Sequence, residues 1–295
     1  MSANNNEEED ESFYNLFVCR DYSVKTFTFP FNSSFVYTQQ LLCLKSATTA
    51  HDLTGQIVWP ACILLSWYIL SQRTVGDSNH AIVVELGAGC GLSGFIASKF
   101  SECVYITDGS EEVINLLHRN QQFLQASNVT IQKLLWGKKS QVEALMSAIS
   151  FRDYQGGARP VTVLGADVVL WPQMVLSLLH TVLLLLARCP RSSRCFISYV
   201  ERATSTTALF FASAARMGLR LEEVSLSFLP SDEPSLRSSS TGQHLYLLTV
   251  DPRFFSQGDD HEVLLRSILH RPEASSLFEE LQLSEAAMDT AFLPC

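Results

Sequence analysis

The sequence predicts an α/β fold with a mostly parallel seven-stranded sheet, helices on both faces, and an antiparallel last strand. Seven apolar runs with β character lie between residues 81 and 250, and helical patterns separate the first six of them. Strands that alternate with helices are typical of a parallel sheet covered on both faces. The last two runs have no helix between them, so they can pair antiparallel.

The predicted elements follow one another along the chain, each marked by its hydrophobic periodicity. Strands are expected at 81–86, 103–107, 130–136, 161–170, 194–200, 220–228 and 244–250. Helices are expected at 59–71, 92–100, 110–125, 141–150, 173–187 and 206–217. Polar loops are expected at 72–80 and 229–242.

Three further parts flank this α/β domain, which is predicted to span residues 54–250. Residues 1–12 are rich in acids and predict a disordered tail. Residues 13–53 alternate apolar and polar residues in places, which predicts a strand-rich N-terminal arm with a hairpin turning near Pro30 to Ser34. Residues 251–295 predict a helical extension.

Composition and charge exclude several classes of protein. The net charge of −9 argues against a general nucleic-acid binder, which would show a basic footprint, and better suits a basic protein partner. The eight cysteines include no C-x-x-C pair and the seven histidines form no ligand-spaced cluster, so no metal site is expected.

The same reasoning predicts a cytosolic or nuclear monomer with reduced thiols. The chain begins with polar and acidic residues rather than a secretory signal. The apolar runs 57–70 and 174–187 are shorter than the roughly 20 residues that span a bilayer, so they are expected to be buried helices.

A glycine-rich motif, Glu85-Leu86-Gly87-Ala88-Gly89-Cys90-Gly91, follows the first strand of the sheet. Glycines permit a tight turn and the close approach of a ligand, which in open α/β sheets binds at the carboxyl ends of the strands. A dinucleotide fingerprint reads G-x-G-x-x-G, but here Leu92 stands in place of the third glycine. Glu85 is unfavourable beside a pyrophosphate and suits the cationic amino acid end of S-adenosylmethionine. The motif therefore favours the methyl donor over a dinucleotide, with a purely structural turn as the third alternative.

Other candidate site residues lie where the next strands end. Asp108 can hydrogen-bond ribose hydroxyls, or it can simply form a turn with Gly109. Trp136 can pack on an adenine ring, or it can belong to the core. Ala166 and Asp167 end the fourth strand, expected beside the glycine strand, which puts Asp167 near the transferable methyl group unless it caps a helix.

Taken together, these residues resemble a seven-β-strand S-adenosylmethionine-dependent methyltransferase, and more narrowly methyltransferase family 16, which includes many lysine methyltransferases. The similar segments are Thr54 to Ala61, Glu85 to Gly91, Trp136-Gly137 and Asp167 onward. The resemblance implies a Rossmann-like sheet and cofactor contacts from Trp59, Glu85, Gly87, Gly89, Gly91, Asp108, Trp136 and Ala166. It also implies that Trp59 lies over the methionine part of the cofactor.

The sequence departs from that family at two places. The family usually has D-x-x-Y after the fourth strand and an acid before the Trp-Gly pair; here Leu170 and Leu135 stand at those positions. We expect a methyltransferase acting on a protein side chain, lysine first and arginine second, with Asp167 orienting the acceptor amine. A small-molecule methyltransferase, a weakly active cofactor-binding interaction module and a dehydrogenase are the alternatives.

Overall fold

A computed structural model of the chain describes residues 21–32, 35–45, 51–73, 82–149, 159–230 and 242–251. The predicted acidic tail and nearly all of the C-terminal extension lie outside the described residues. Most of the loops expected at 72–80 and 229–242 lies outside them as well.

The described elements alternate as the sequence predicts. The strands are β1 Tyr22–Asn32, β2 Phe35–Leu44, β3 Ile82–Leu86, β4 Cys103–Asp108, β5 Val129–Lys133, β6 Val161–Ala166, β7 Arg194–Val200, β8 Leu219–Glu223 and β9 Gln243–Val250. The α-helices are α1 Pro60–Arg73, α2 Leu92–Ser98, α3 Glu111–Leu124, α4 Lys139–Ala148, α5 Pro172–Arg188 and α6 Thr204–Arg216, and a short 3₁₀ helix spans His51–Gln56.

The central sheet has seven strands in the order β5-β4-β3-β6-β7-β9-β8. Strands β3 to β7 are parallel, while β9 runs antiparallel to both of its neighbours, β7 and β8. The predicted fold class is therefore confirmed, including the antiparallel last strand. Because β3 lies between β4 and β6, the order of the strands reverses beside it, and this reversal opens a crevice at the carboxyl ends of the strands.

Alternate residues of β3 pack into two hydrophobic cores, one on each face of the sheet. Ile82, Val84 and Leu86 join the core formed with α4, α5 and α6, whereas Val83 joins the core formed with α1, α2 and α3. Helix α5 is apolar nearly all round and is buried along most of its length, as expected for a helix enclosed by protein. No helix among the described residues has the length and apolar character needed to cross a bilayer.

The N-terminal arm forms an antiparallel hairpin of β1 and β2, which packs against the core that contains α1 to α3. The aromatic rings of Phe29 and Phe31 meet Trp67 of α1 edge-on, with ring centroids 5.3 and 5.0 Å apart. The register shifts next to Pro30, which has no N–H to donate to the ladder. Strand β1 continues through the predicted turn region to Asn32, and residues 33–34 lie outside the described residues.

Three strands end earlier than the sequence predicts. Strand β5 ends at Lys133 instead of Trp136, because its one neighbour in the sheet, β4, ends at Asp108, the partner of Lys133. The last bond between the two strands runs from Leu134 N–H to the carbonyl of Asp108, at 2.8 Å. Strand β6 ends at Ala166 instead of Leu170, because Asp167 adopts a left-handed conformation with φ of 60°. Strand β8 ends at Glu223 and not at Phe228.

One buried amide joins the hairpin to the glycine motif. Asn120 of α3 is 0% exposed; its Oδ1 accepts the N–H of Leu42 at 2.7 Å, and its Nδ2 donates to the carbonyls of Leu42 and Cys90 at 3.1 and 3.2 Å. Replacing it leaves these backbone groups without a partner inside the protein.

We expect Asn120→Ala to lower the free energy of unfolding by about 2 kcal/mol or more, because buried unpaired polar groups are costly. The measurement is urea denaturation. Asn115→Ala is the matched control, since Asn115 lies on the exposed face of the same helix. Equal stability losses in the two variants would contradict the structural role of Asn120.

Candidate functional site

The loop between β3 and α2 has a backbone that glycine alone adopts easily. Gly87, Gly89 and Gly91 have φ values of 60°, 54° and 81°, all in the left-handed region. A Cβ on Gly89 would lie 2.9 Å from the carbonyl oxygen of Gly55, and one on Gly87 would lie 2.7 Å from Cζ2 of Trp136. The predicted glycines therefore permit two close contacts with other parts of the chain.

Four of the amides around this loop are already bonded within the protein. Ala88 N–H donates to the carbonyl of Thr107 at 3.0 Å, and Gly91 N–H donates to the carbonyl of Ala88 at 2.8 Å. Gly89 N–H donates to Asp108 at 3.1 Å, and Gly94 N–H in the first turn of α2 donates to Glu85 at 3.0 Å. A pyrophosphate needs such amides to be free. The loop therefore favours the methyl donor over a dinucleotide.

The carboxyl group of Glu85 lies inside the protein, against the first turn of α2. The residue is 1% exposed, and burial raises the pKa of this carboxyl to about 8 despite the hydrogen bond from Gly94. A nearby cation would favour its ionised form. Direct contact of Glu85 with the cationic end of the cofactor stays a prediction.

Asp108 ends β4 and braces the glycine loop. One carboxylate oxygen accepts the N–H of Gly89, and the other accepts the N–H of Ser110 at 3.0 Å. Burial raises the pKa of this carboxyl, and the backbone donors oppose that rise. Each carboxylate oxygen can accept a second hydrogen bond, so ribose hydroxyls remain possible partners.

The two predicted tryptophans lie at different places around the loop. Trp136 is half-buried beside Gly87, and the next residue is fixed by a 2.8 Å hydrogen bond from Gly137 N–H to Thr181. Trp59 precedes α1, and its indole N–H donates to the carbonyl of Thr54 at 2.8 Å. This bond orients the indole. Thr54 and Trp59 belong to the same short segment as Gly55, whose carbonyl oxygen lies close to Gly89.

Ala166 and Asp167 lie where β6 ends, beside the glycine loop. Ala166 pairs with Ser198 of β7, and Asp167 N–H extends this ladder by donating to the carbonyl of Ser198 at 2.7 Å. The next residue, Val168, lies against Gly87, because a Cβ on that glycine would be 3.0 Å from its Cγ1. Asp167 therefore lies at the carboxyl end of β6, at the edge of the crevice, which is the position that the sequence predicts for it.

Sequence reasoning missed Arg202, which follows β7. Its two guanidinium nitrogens donate to the two carboxylate oxygens of Asp167, each at 2.6 Å. Its guanidinium carbon lies 5.3 Å from the centre of the Trp59 ring. Asp167 was found by the rule that ligands bind where parallel strands end. The same rule applies to Arg202, because this residue follows β7.

The residues present fit a nucleoside carrying a cationic amino acid. The glycine loop gives close backbone approach, and its amides at Ala88, Gly89 and Gly91 are bonded within the protein rather than to a phosphate. Asp108 offers oxygens for ribose hydroxyls, and Trp136 offers an aromatic surface beside the loop. All of them lie at the strand reversal, where open α/β sheets bind ligands. Fold and site together define a seven-β-strand S-adenosylmethionine-dependent methyltransferase.

The family model described as lysine methyltransferase matches residues 38–216, more than half of the 295 residues. The chain therefore belongs to the lysine methyltransferase family, whose members depend on S-adenosylmethionine.

Several known proteins are similar to it in sequence. The protein-lysine N-methyltransferase EEF2KMT of Bos taurus is 26% identical over 200 residues, covering 62% of this chain and 58% of that protein. The histone-arginine methyltransferase METTL23 of Mus musculus is 27% identical over 143 residues, covering 48% and 51%. The chain thus spans just over half the length of these relatives.

Two solved structures are more distant. An rRNA methylase from Streptococcus thermophilus has a TM-score of 0.41 and 15% identity, covering 66% of this chain and 98% of its own. The Streptococcus mutans protein SMU.1697c, solved in complex with SAH, has a TM-score of 0.40 and 18% identity, covering 65% and 98%.

We expect Gly89→Ala to weaken S-adenosylmethionine binding by about tenfold or more, because a left-handed alanine costs roughly 1–2 kcal/mol. The new Cβ would also press on the Gly55 carbonyl. Isothermal titration calorimetry measures the affinity. Gly109→Ala is the matched control: its Cβ would meet only the side chain of Leu135 closely, at 3.1 Å. Unchanged affinity of Gly89→Ala would contradict the assigned loop role.

Glu85 gives stability a pH dependence. Its folded pKa of about 8 lies above the ordinary value of 4.5, so the folded state holds an extra proton between these values. Its contribution to stability is full below about pH 4 and is lost as pH rises through the folded pKa. Without cofactor, wild-type stability minus that of Glu85→Gln should therefore fall from about pH 5 to 8, by at most about 1.4 kcal/mol per unit.

The measurement is urea denaturation of both proteins at several pH values. Glu111→Gln is the control, because Glu111 is exposed and pairs with Lys133 at the surface. If the wild-type and Glu85→Gln curves run parallel, Glu85 is not protonated in the folded protein.

Proposed function

We propose that this chain transfers a methyl group from S-adenosylmethionine to a protein side chain, with lysine as the favoured acceptor. The observation that carries the proposal is the position of Asp167: a carboxylate at the end of β6, next to the cofactor loop and paired with Arg202. Membership of the lysine methyltransferase family supports the same activity. We propose residues 54–250 as the methyltransferase domain.

The methyl group of S-adenosylmethionine is already activated for transfer, so the protein mainly has to align the acceptor nitrogen with it. When bound, S-adenosylmethionine would supply a methyl group activated by its sulfonium sulfur for transfer to the acceptor nitrogen, leaving S-adenosylhomocysteine. The acceptor amine must first lose a proton so that its lone pair is free, and we assign water as the carrier of that proton. The loop from Gly87 to Gly91, with Asp108, Trp136, Trp59 and Ala166, would hold the donor. Asp167 orients the acceptor.

Arginine is the second candidate acceptor. Leu170 stands where the resembled family usually has a tyrosine after its aspartate. A relative that is 27% identical is called a histone-arginine methyltransferase. We further propose a monomer acting in the cytosol or the nucleus. A small-molecule methyltransferase and a weakly active interaction module are the remaining alternatives.

We expect Asp167→Ala to keep cofactor affinity within a few-fold and to lower methyl transfer by about 100-fold, because misplacing a reacting group costs this much. Transfer of labelled methyl groups to lysate proteins measures the activity, and calorimetry measures cofactor binding. Asp21→Ala is the control, since Asp21 is exposed and pairs with Lys45 at the surface. Unchanged transfer by Asp167→Ala would remove Asp167 from the proposed role.

Mass spectrometry of the labelled bands identifies the acceptor. Methyl-lysine supports the favoured assignment, and methyl-arginine supports the second one. Label that appears only on small molecules contradicts a protein acceptor, and binding without any transfer contradicts the enzyme.

A further inference from the structure

We infer that Arg202 controls the charge that the acceptor meets, so that the site favours an uncharged amine over an ammonium ion. This inference rests on the proposed function. It adds Arg202 as a positioning residue that decides whether the site binds the acceptor as a neutral amine or as an ammonium ion. Its basis is the contact of Arg202 with both Asp167 and Trp59.

The ion pair occupies both oxygens of the carboxylate that the acceptor would use. The two guanidinium nitrogens bind these oxygens at 2.6 Å each, and one of them also donates to the carbonyl of Val200 at 3.3 Å. The Asp167 side chain is 6% exposed and that of Arg202 is 33% exposed. An approaching group therefore meets a paired carboxylate, with the arginine as its more accessible partner.

The arginine is held on a second side by Trp59. The guanidinium lies over the indole at 5.3 Å, and the indole is fixed by its hydrogen bond to Thr54. Stacking on an aromatic ring and forked bonding to a carboxylate are both properties of arginine that lysine does not share. The pair is thus built for one orientation rather than formed by two free surface chains.

The charge of Arg202 acts directly on the protonation of an acceptor amine. A lysine ammonium ordinarily has a pKa of about 10.4, and its protonated nitrogen has no lone pair for attack. An isolated carboxylate stabilises ammonium, whereas a nearby cation destabilises it. Because guanidinium stays charged at any working pH, Arg202 offsets the charge of Asp167 throughout.

Other ionisable groups surround the pair. Burial raises the pKa of the Cys62 thiol on α1 to about 12, with Glu85 and Asp167 both adding to the rise. Burial raises the pKa of Glu85 on β3 to about 8. Glu201 precedes the arginine and lies 3.9 Å from His244 of β9. Wild-type and Arg202 variants share these groups, so a difference between their pH profiles reports the arginine.

The first experiment compares the pH profile of methyl transfer for the wild type, Arg202→Met and Arg202→Lys at saturating cofactor, from pH 6 to 10. For Arg202→Met we expect the acidic limb of kcat to move to higher pH by about 1 unit or more. Transfer should then fall about tenfold at neutral pH and recover as the pH rises. Arg202→Lys should keep the wild-type limb because it keeps the charge. A purely structural role would lower kcat equally at every pH, and coincident limbs for the wild type and Arg202→Met overturn the inference.

A second measurement needs no turnover. In the presence of S-adenosylhomocysteine, NMR titration with n-butylammonium, a probe for the lysine side chain, should show binding to Arg202→Met at concentrations where the wild type shows none. The double variant Arg202→Met with Asp167→Asn should lose that binding. Equal binding by the wild type and Arg202→Met overturns the inference.

The matched control is Arg188→Met, because Arg188 is likewise ion-paired, with Glu143 at 3.3 Å, but lies on α5 away from the crevice. It should match the wild type in both measurements. If the wild type transfers no methyl group while Arg202→Met alone binds n-butylammonium, the proposed function fails and the charge assigned to Arg202 stands.

Discussion

The backbone contact between Gly55 and Gly89 is the constraint on which the site depends. Any side chain at Gly89 would push into the Gly55 carbonyl, so the loop and the segment before α1 can meet only as backbone against backbone. That contact sets the position of Trp59, just before α1, and through Trp59 the place where Arg202 can stack. The strand ends and the upstream segment thus form one structure, although Trp59 and Arg202 lie 143 positions apart in the chain.

The three acidic residues of the site have three different surroundings, and each surrounding suits one task. Glu85 is enclosed and bonded to one helix amide, so its charge depends strongly on pH. Asp108 is bonded to two backbone amides and keeps spare lone pairs for a ligand. Asp167 is paired with a permanent cation. Burial is the main cause of the raised pKa of Glu85, and the charge of Asp108 adds to it, so these two acids are electrostatically coupled.

The sequence predicted the parts of the fold that follow from periodicity and local chemistry. The alternation of strands and helices and the tight turn at the glycines follow from local pattern, and the fourth strand, β6, lies beside the glycine strand β3 as expected. The ends of β5 and β6 could not be predicted, because they depend on features outside the local pattern: β5 ends where its neighbour β4 ends, and β6 ends at a left-handed residue that is not glycine. Arg202 was missed for the same reason, since its partner lies 35 positions away in the chain.

The cofactor half and the acceptor half of the site therefore depend on different kinds of interaction. The cofactor half is made largely of backbone: glycine conformations and amides bonded to neighbouring strands, which many sequences can preserve. The proposed acceptor half, in contrast, depends on the side-chain pair of Asp167 and Arg202, and a single substitution there changes its charge. A substitution at that pair would therefore change the proposed acceptor site while leaving the backbone of the glycine loop in place.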